Sequence, residues 1–166
     1  VRVGPELYNF KPYQHKQPLL VVSPDPHPLR EQVLAELVRA NPSLKIQVVE
    51  DLSYADYKAL ISDAKWSLTF GEGLDGYFVE PIFSGAVSFA VYNERFFTPA
   101  FKELETVYCS WDALRESITA DLHRLDEPAN FDRAWRVAYD LLAGMYNTEQ
   151  FRRNLRAFFR GEYSLP

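Results

Sequence analysis

Lys65-Trp66-Ser67-Leu68-Thr69-Phe70-Gly71-Glu72-Gly73-Leu74-Asp75-Gly76-Tyr77-Phe78-Val79-Glu80-Pro81-Ile82-Phe83-Ser84-Gly85 is the stretch whose reading decides the fold. Lys65 to Phe70 reads as a buried strand, and Gly71, Gly73 and Gly76 let the backbone turn sharply and approach a ligand closely. Pro81 dates the helix that follows, because beyond a first turn proline removes a hydrogen bond and clashes with the preceding carbonyl. The helix is therefore expected to begin near Tyr77 or Phe78, with Glu80 in its first turn and Glu72 in the loop before it. A strand, a glycine-rich turn and a helix N-terminus leave N–H groups unpaired at the positive end of the helix dipole, which attracts phosphate or another anion. The two carboxylates then stand as hydroxyl acceptors beside an anion site, although a first-turn glutamate is favoured by the dipole whatever the protein does.

Working outward, Leu19 to Val22 is a short apolar strand, and Ser23-Pro24-Asp25-Pro26-His27-Pro28 is a rigid loop whose prolines forbid regular pairing. Pro28 serves as a first helical residue for a stripe of Leu29, Val33, Leu34, Leu37 and Val38 that ends at Asn41 and Pro42. Leu44 to Val49 is the next strand. Ser53 with Asp56 resembles a capping box ahead of Tyr57, Leu60, Ile61 and Ala64, which recur at helical spacing. Beyond the central stretch, Ala86 to Val91 is a buried strand, Tyr92 to Phe97 an aromatic loop and Thr106 to Tyr108 a short strand. Strands alternating with single helices imply right-handed crossovers and a parallel sheet covered on both faces.

The fold expected is three-layer, Rossmann-like α/β with a helical C-terminal tail. In that tail Ser110 caps a stripe of Leu114, Ile118 and Leu122. Asn130 caps Phe131, Ala134, Trp135, Ala138, Leu142 and Met145, and Thr148 caps Phe151, Leu155 and Phe158, with Gly161 as the stop. Aromatic stripes at this spacing are assigned to packing. Residues 1–18, broken by Pro5, Pro12 and Pro18, form a lead-in or interdomain segment, and residues 19–166 a single domain.

A chain of 166 residues buries most of its apolar surface without staples. Its net charge of -5, spread without long like-charge runs, argues against a nucleic-acid or anionic-membrane footprint and for a soluble partner or small ligand. The single cysteine, Cys109, excludes an internal disulfide framework and any multi-cysteine metal site, and favours a reducing compartment. No apolar run reaches the roughly 18 residues needed to cross a bilayer. The chain opens on Val1 rather than methionine, and is expected to be a portion of something longer.

Glu72, seven intervening residues and Glu80, followed by Gly85 and the strand Ala86 to Val91, is similar to the E-x7-E region of retaining, GT-B-fold glycosyltransferases of the glycosyl transferases group 1 family. The spacing matches without a gap, and from Leu19 onward the chain looks like the C-terminal, donor-binding half of such enzymes. That resemblance implies binding of a nucleotide diphosphate sugar without a metal ion or other cofactor. Glu72 would contact the donor sugar near the reaction centre, and Glu80 would hold the ribose hydroxyls. Backbone N–H groups of Gly73 and Leu74 would cradle the distal phosphate or sugar, with Asp75 and Gly76 in the same donor-binding turn. The acceptor, a saccharide or lipid-linked glycan, would be bound by an N-terminal partner domain absent from this chain. The implied location is cytoplasmic, with any contact at the inner face of the membrane made through that missing half. The chemistry is consistent, since carboxylates accept strong hydrogen bonds from a diol while N–H donors and basic side chains take the diphosphate.

The departures are specific. The family carries an arginine and, a few residues on, a lysine in the loop after the first strand of this half, and here neither is in register. Arg30 is the nearest candidate for phosphate contact and His27 the next, with a solvated helix-face charge and a loop or cap residue as their respective alternatives. Asp75 stands where a small residue is common, and Tyr77 where proline is. Three readings follow. The first is the donor half of a retaining sugar transferase, inactive in isolation; the second is a non-catalytic nucleotide-binding or scaffold domain of the same fold. The third is metal-assisted phosphoryl chemistry by Asp25, Glu50, Asp51 and Glu72 near strand carboxyl ends.

Overall fold

The computed structural model describes residues 4–162. Its strands β1 (Gln17–Val22), β2 (Lys45–Val48), β3 (Ala64–Leu68), β4 (Val87–Val91) and β5 (Val107–Tyr108) all pair in parallel, in the order β2-β1-β3-β4-β5. Parallel neighbours need a crossover, and the first three are the helices α1 (Arg30–Ala40), α2 (Tyr54–Asp63) and α3 (Gly76–Phe83). Three further helices complete the tail: α4 (Trp111–Leu125), α5 (Pro128–Met145) and α6 (Thr148–Phe159). The Rossmann-like three-layer fold is thus present.

Strand alternation sorts the core into two halves. Leu19, Val21, Ala64 and Ala90 face a cluster with Tyr57 and Ile61 of α2, Phe78, Val79, Ile82 and Phe83 of α3, and Ala138 and Leu142 of α5. Leu20, Val22, Trp66, Leu68, Val87 and Phe89 face a second cluster with Val33 and Leu37 of α1, Leu114, Ile118 and Leu122 of α4, and Phe131 and Ala134 of α5. Strand order reverses between β1 and β3, so the loops after these two strands flank the crevice where open α/β sheets receive ligands.

Ser53 and Ser110 cap as expected, accepting from the Asp56 and Ala113 N–H groups. Five local expectations need correction. Helix α1 begins at Arg30 with Leu29 at its N-cap, so Pro28 precedes the helix and does not open it. Helix α3 begins at Gly76, not at Tyr77 or Phe78, because Asp75 supplies a side-chain cap six residues ahead of Pro81; Pro81 and Glu80 therefore lie in the second turn. Helix α5 starts at Pro128, whose missing N–H is harmless there, while Asn130 donates to the Arg124 carbonyl instead of capping. Asn147, not Thr148, caps α6 by accepting from the Glu149 and Gln150 N–H groups, each at 3.0 Å. The stripe Phe151, Leu155 and Phe158 does not pack into the core: no residue of α6 is buried.

Residues 4–16 form a strap across one end of the sheet. Two short 3-10 turns, Pro5–Leu7 and Tyr13–His15, punctuate it where prolines set the backbone angle. Tyr8 stacks on Phe83, Phe10 tilts against Trp135, and the Ser62 hydroxyl donates to the Asn9 carbonyl at 2.8 Å. Lys16 is buried, and its ammonium donates to the carbonyls of Ser62, Ala64 and Ser84, each at 3.0 Å. These carbonyls close the C-terminal ends of α2 and α3, so one cation sits at the negative poles of two helices, and the Ser84 carbonyl also accepts the Lys11 N–H at 3.2 Å. Burial lowers the ammonium to about 7, while the charge of Asp63 opposes the fall.

Candidate functional site

The loop after β3 carries the glycine turn. Asp75 accepts from the Phe78 N–H at 3.0 Å and from the Thr69 hydroxyl at 2.9 Å. Its carboxylate therefore fills the position at the α3 N-terminus where an external anion was expected. Burial holds the Asp75 carboxyl above the usual carboxylate range, and the charge of Asp25 adds to the rise, against the pull of Thr69 and the Phe78 N–H. Asp25 comes from the loop after β1 and lies against Gly71, where an added Cβ would stand 2.7 Å from its Oδ2. That oxygen is buried and has no hydrogen-bond partner among the described residues. The corner at the switch point is thus lined by two carboxylates.

Arg30 is turned onto its own loop. Its Nη1 donates to the carbonyls of Pro24 at 3.2 Å and Asp25 at 3.4 Å. His27 accepts the Leu29 N–H on Nδ1 at 3.2 Å, and its ring lies 3.9 Å from the Trp111 centroid and 5.8 Å from that of Phe70. Burial lowers the His27 imidazolium, which suits a neutral ring held in an aromatic stack. Gly73 is buried with φ 95°, a conformation that disfavours any side chain, and a Cβ there would overlap the Phe97 ring. Leu74 packs against the first core cluster.

Glu80 occupies a separate place. It is 7% exposed and lines a cavity of about 360 Å³ together with Val49, Leu52, Tyr54, Tyr57, Gly76 and Tyr77. The loop after β2 supplies Val49 and Leu52, the first turns of α2 supply Tyr54 and Tyr57, and α3 supplies the rest. The Tyr54 hydroxyl donates to Glu80 Oε2 at 3.3 Å and lies 3.2 Å from the hydroxyl of Tyr8 on the strap. Tyr57 donates to the Gly76 carbonyl at 3.3 Å, stacks on Tyr54 and meets Tyr77 edge to face. Oε1 of Glu80 points over Gly76, where a Cβ would stand 3.1 Å away. Burial raises the Glu80 carboxyl, while the Tyr54 and Tyr8 hydroxyls and the Lys58 ammonium pull it down. Burial and then the Glu80 charge push the Tyr57 phenol far above its ordinary value, so it stays a neutral donor.

The structure does not bring Glu72 and Glu80 into one cavity. Glu72 is exposed at the loop and is not among the residues lining the space that Glu80 lines. A second, open groove of about 410 Å³ lies on the other side of the turn, lined by Gly71, Val91, Tyr92, Asn93, Glu94, Cys109, Ser110 and Trp111. Sequence reasoning missed Tyr8, Tyr54, Tyr57, Tyr77 and Lys58 as neighbours of Glu80. The available signal was the run of tyrosines just inside the Ser53 cap, which points three-residue-spaced rings from the start of α2 toward a strand carboxyl end.

Among the described residues, no group of three or more His, Cys, Asp or Glu side chains is placed to hold a metal ion, so Asp25, Glu50, Asp51 and Glu72 do not form one. No helix among them is long and apolar enough to cross a membrane. No protein-family model matches the chain, and no curated protein matches it.

Proposed function

We propose that this chain is the donor-binding domain of a retaining, GT-B-fold sugar transferase, and that it takes a nucleotide diphosphate sugar by its nucleoside. The observation that carries this reading is Glu80, a buried carboxylate in a tyrosine-walled cavity near the carboxyl end of a parallel sheet. Aromatic faces suit the base, and a carboxylate oxygen left open beside Gly76 suits a vicinal diol, which offers two hydroxyl donors to one acceptor group. Ribose then binds Glu80, as the E-x7-E spacing implies. Glu72, exposed beyond the cavity, is assigned to the donor sugar by that spacing alone. Transfer requires the partner half, which would supply the acceptor site for a saccharide or lipid-linked glycan.

A second reading rests on its own observation. Asp75 fills the α3 N-terminus and Arg30 holds its own loop, so both groups expected to receive the diphosphate are engaged elsewhere. This favours a nucleoside-binding module of the same fold that does not transfer sugar. Calorimetric titration with uridine, guanosine and adenosine, and then with their diphosphates, separates the two. A diphosphate that binds more tightly than its nucleoside, with sugar transfer by the longer protein, supports the transferase. A nucleoside that binds at least as tightly as its diphosphate, with no transfer, supports the module; no binding by any of the six overturns both.

A further inference from the structure

Helix α6 is an amphipathic element whose apolar side is left exposed among the described residues: Phe151 is 55%, Leu155 42% and Phe159 78% exposed. At about 100° per residue these three fall within one arc of about 80°, and Arg152, Arg153, Arg156 and Arg160 fill the adjoining arc of about 100°. Between Thr148 and Arg160 the only acidic residue is Glu149, so the local charge is opposite in sign to the chain's net -5. Among the described residues none of these arginines forms an ion pair. The helix is nevertheless well started, by the Asn147 cap and by a Thr148 hydroxyl that donates to the Glu6 carboxylate at 2.6 Å.

We propose that α6 lies in the surface of a lipid bilayer carrying anionic headgroups. Phe151, Leu155 and Phe159 enter the acyl boundary, and the guanidinium groups of Arg152, Arg156 and Arg160 meet headgroup phosphates. The charge pattern selects this occupant. A nucleic acid would use the arginines and leave the aromatic arc in water, and a neutral protein groove would cover the arc and leave four like charges unpaired. A polar face rich in arginine beside a phenylalanine and leucine face, at low overall hydropathy, is what holds a helix in the plane of an anionic interface. The acidic remainder of the chain is repelled by the same surface, so contact is confined to α6. Averaging charge over the whole chain hides this, because arginines concentrated on one helix are offset by acids elsewhere. Membrane contact on this basis belongs to the chain itself, without needing a partner half.

The test is co-sedimentation of the chain with vesicles of phosphatidylcholine alone and of phosphatidylcholine mixed with phosphatidylglycerol, at low and high salt. Binding is expected only to the mixed vesicles and is released by salt. The double change Arg152→Gln/Arg156→Gln should lower partitioning roughly thirtyfold, at about fivefold per arginine. Phe151→Ser/Leu155→Ser should lower it at least about tenfold. Neither pair should change the melting temperature, because α6 buries nothing. No binding to the mixed vesicles, equal binding to both kinds, or binding that survives both variants overturns the proposal. So does a dimer in sedimentation velocity that the serine variant dissolves while vesicles go unbound, which would assign this face to a second copy of the chain.

Discussion

Replacing Glu80 by glutamine tests the cavity at the group on which the functional reading depends. The wild-type carboxylate uses Oε2 to accept from Tyr54 over a long 3.3 Å bond and leaves Oε1 facing Gly76. Hydrogen bonds to an ionised group are worth about 1.5–3 kcal/mol each. Glutamine keeps one acceptor, turns the other into a donor and removes the charge. One of two diol bonds is lost and the other weakened, which amounts to about 2–3 kcal/mol, or roughly thirty- to 150-fold in Kd. Stability should move the other way. Because burial raises the Glu80 carboxyl in the folded protein, the folded state binds its proton more tightly than the unfolded state. The wild type therefore loses stability as pH rises through that window and carries the full cost above it. At pH 7 Glu80→Gln should be at least as stable as wild type, so weaker binding cannot be blamed on unfolding. The assay is calorimetric titration with the tightest nucleotide found, alongside its 2′-deoxy and 3′-deoxy forms. Glu80→Gln binding as tightly as wild type, or deoxy ligands binding as tightly as the ribonucleotide, would refute the assignment of Glu80 to the diol.

Other perturbations probe the supports of the site. Lys16→Met takes the ammonium from the Ser62, Ala64 and Ser84 carbonyls, of which Ser84 keeps the Lys11 N–H, and is expected to cost about 3 kcal/mol in chemical denaturation at neutral pH. With the folded ammonium lowered to about 7, the unfolded chain holds its proton to higher pH; wild type should then gain stability over the variant from about pH 7 to 10. A gap that stays constant over that range instead would mean that the carbonyls keep the ammonium charged. Gly73→Ala forces a side chain into φ 95° and into the Phe97 ring, and should cost about 3 kcal/mol or more, with a matching fall in melting temperature. Asp75→Asn keeps an α3 cap of comparable quality and removes one of the two negative charges at the switch point. It should tighten diphosphate binding several-fold and leave nucleoside binding unchanged; an equal effect on both would show that the diphosphate does not approach this corner.

Much of the architecture was legible because its signals are local. The parallel sheet followed from short apolar runs separated by single-helix stripes, and the Ser53 and Ser110 caps from a hydroxyl one residue ahead of the first turn. Pro81 places the start of α3 to within a residue or two. Proline does not control that boundary alone, because the carboxylate of Asp75 also anchors it. The same side chain explains why an empty anion cradle was a poor expectation, since an acidic residue at the N-cap position serves as its own ligand.

Glu80 was picked out by spacing, but its tyrosine walls come from α2 and α3, with Tyr8 of the strap behind Tyr54, and these segments meet only once the sheet has formed. The three carbonyls under Lys16 converge for the same reason. For α6 the sequence specified a two-sided helix and nothing more, because 3.6-residue periodicity is the same whether the apolar side meets a core or water. Backbone propensity, capping and periodicity are settled within a few residues of chain and so belong to the sequence alone. Which helix ends converge, which carboxylate is buried and which apolar face stays uncovered depend on contacts between distant segments, and those only the tertiary structure decided.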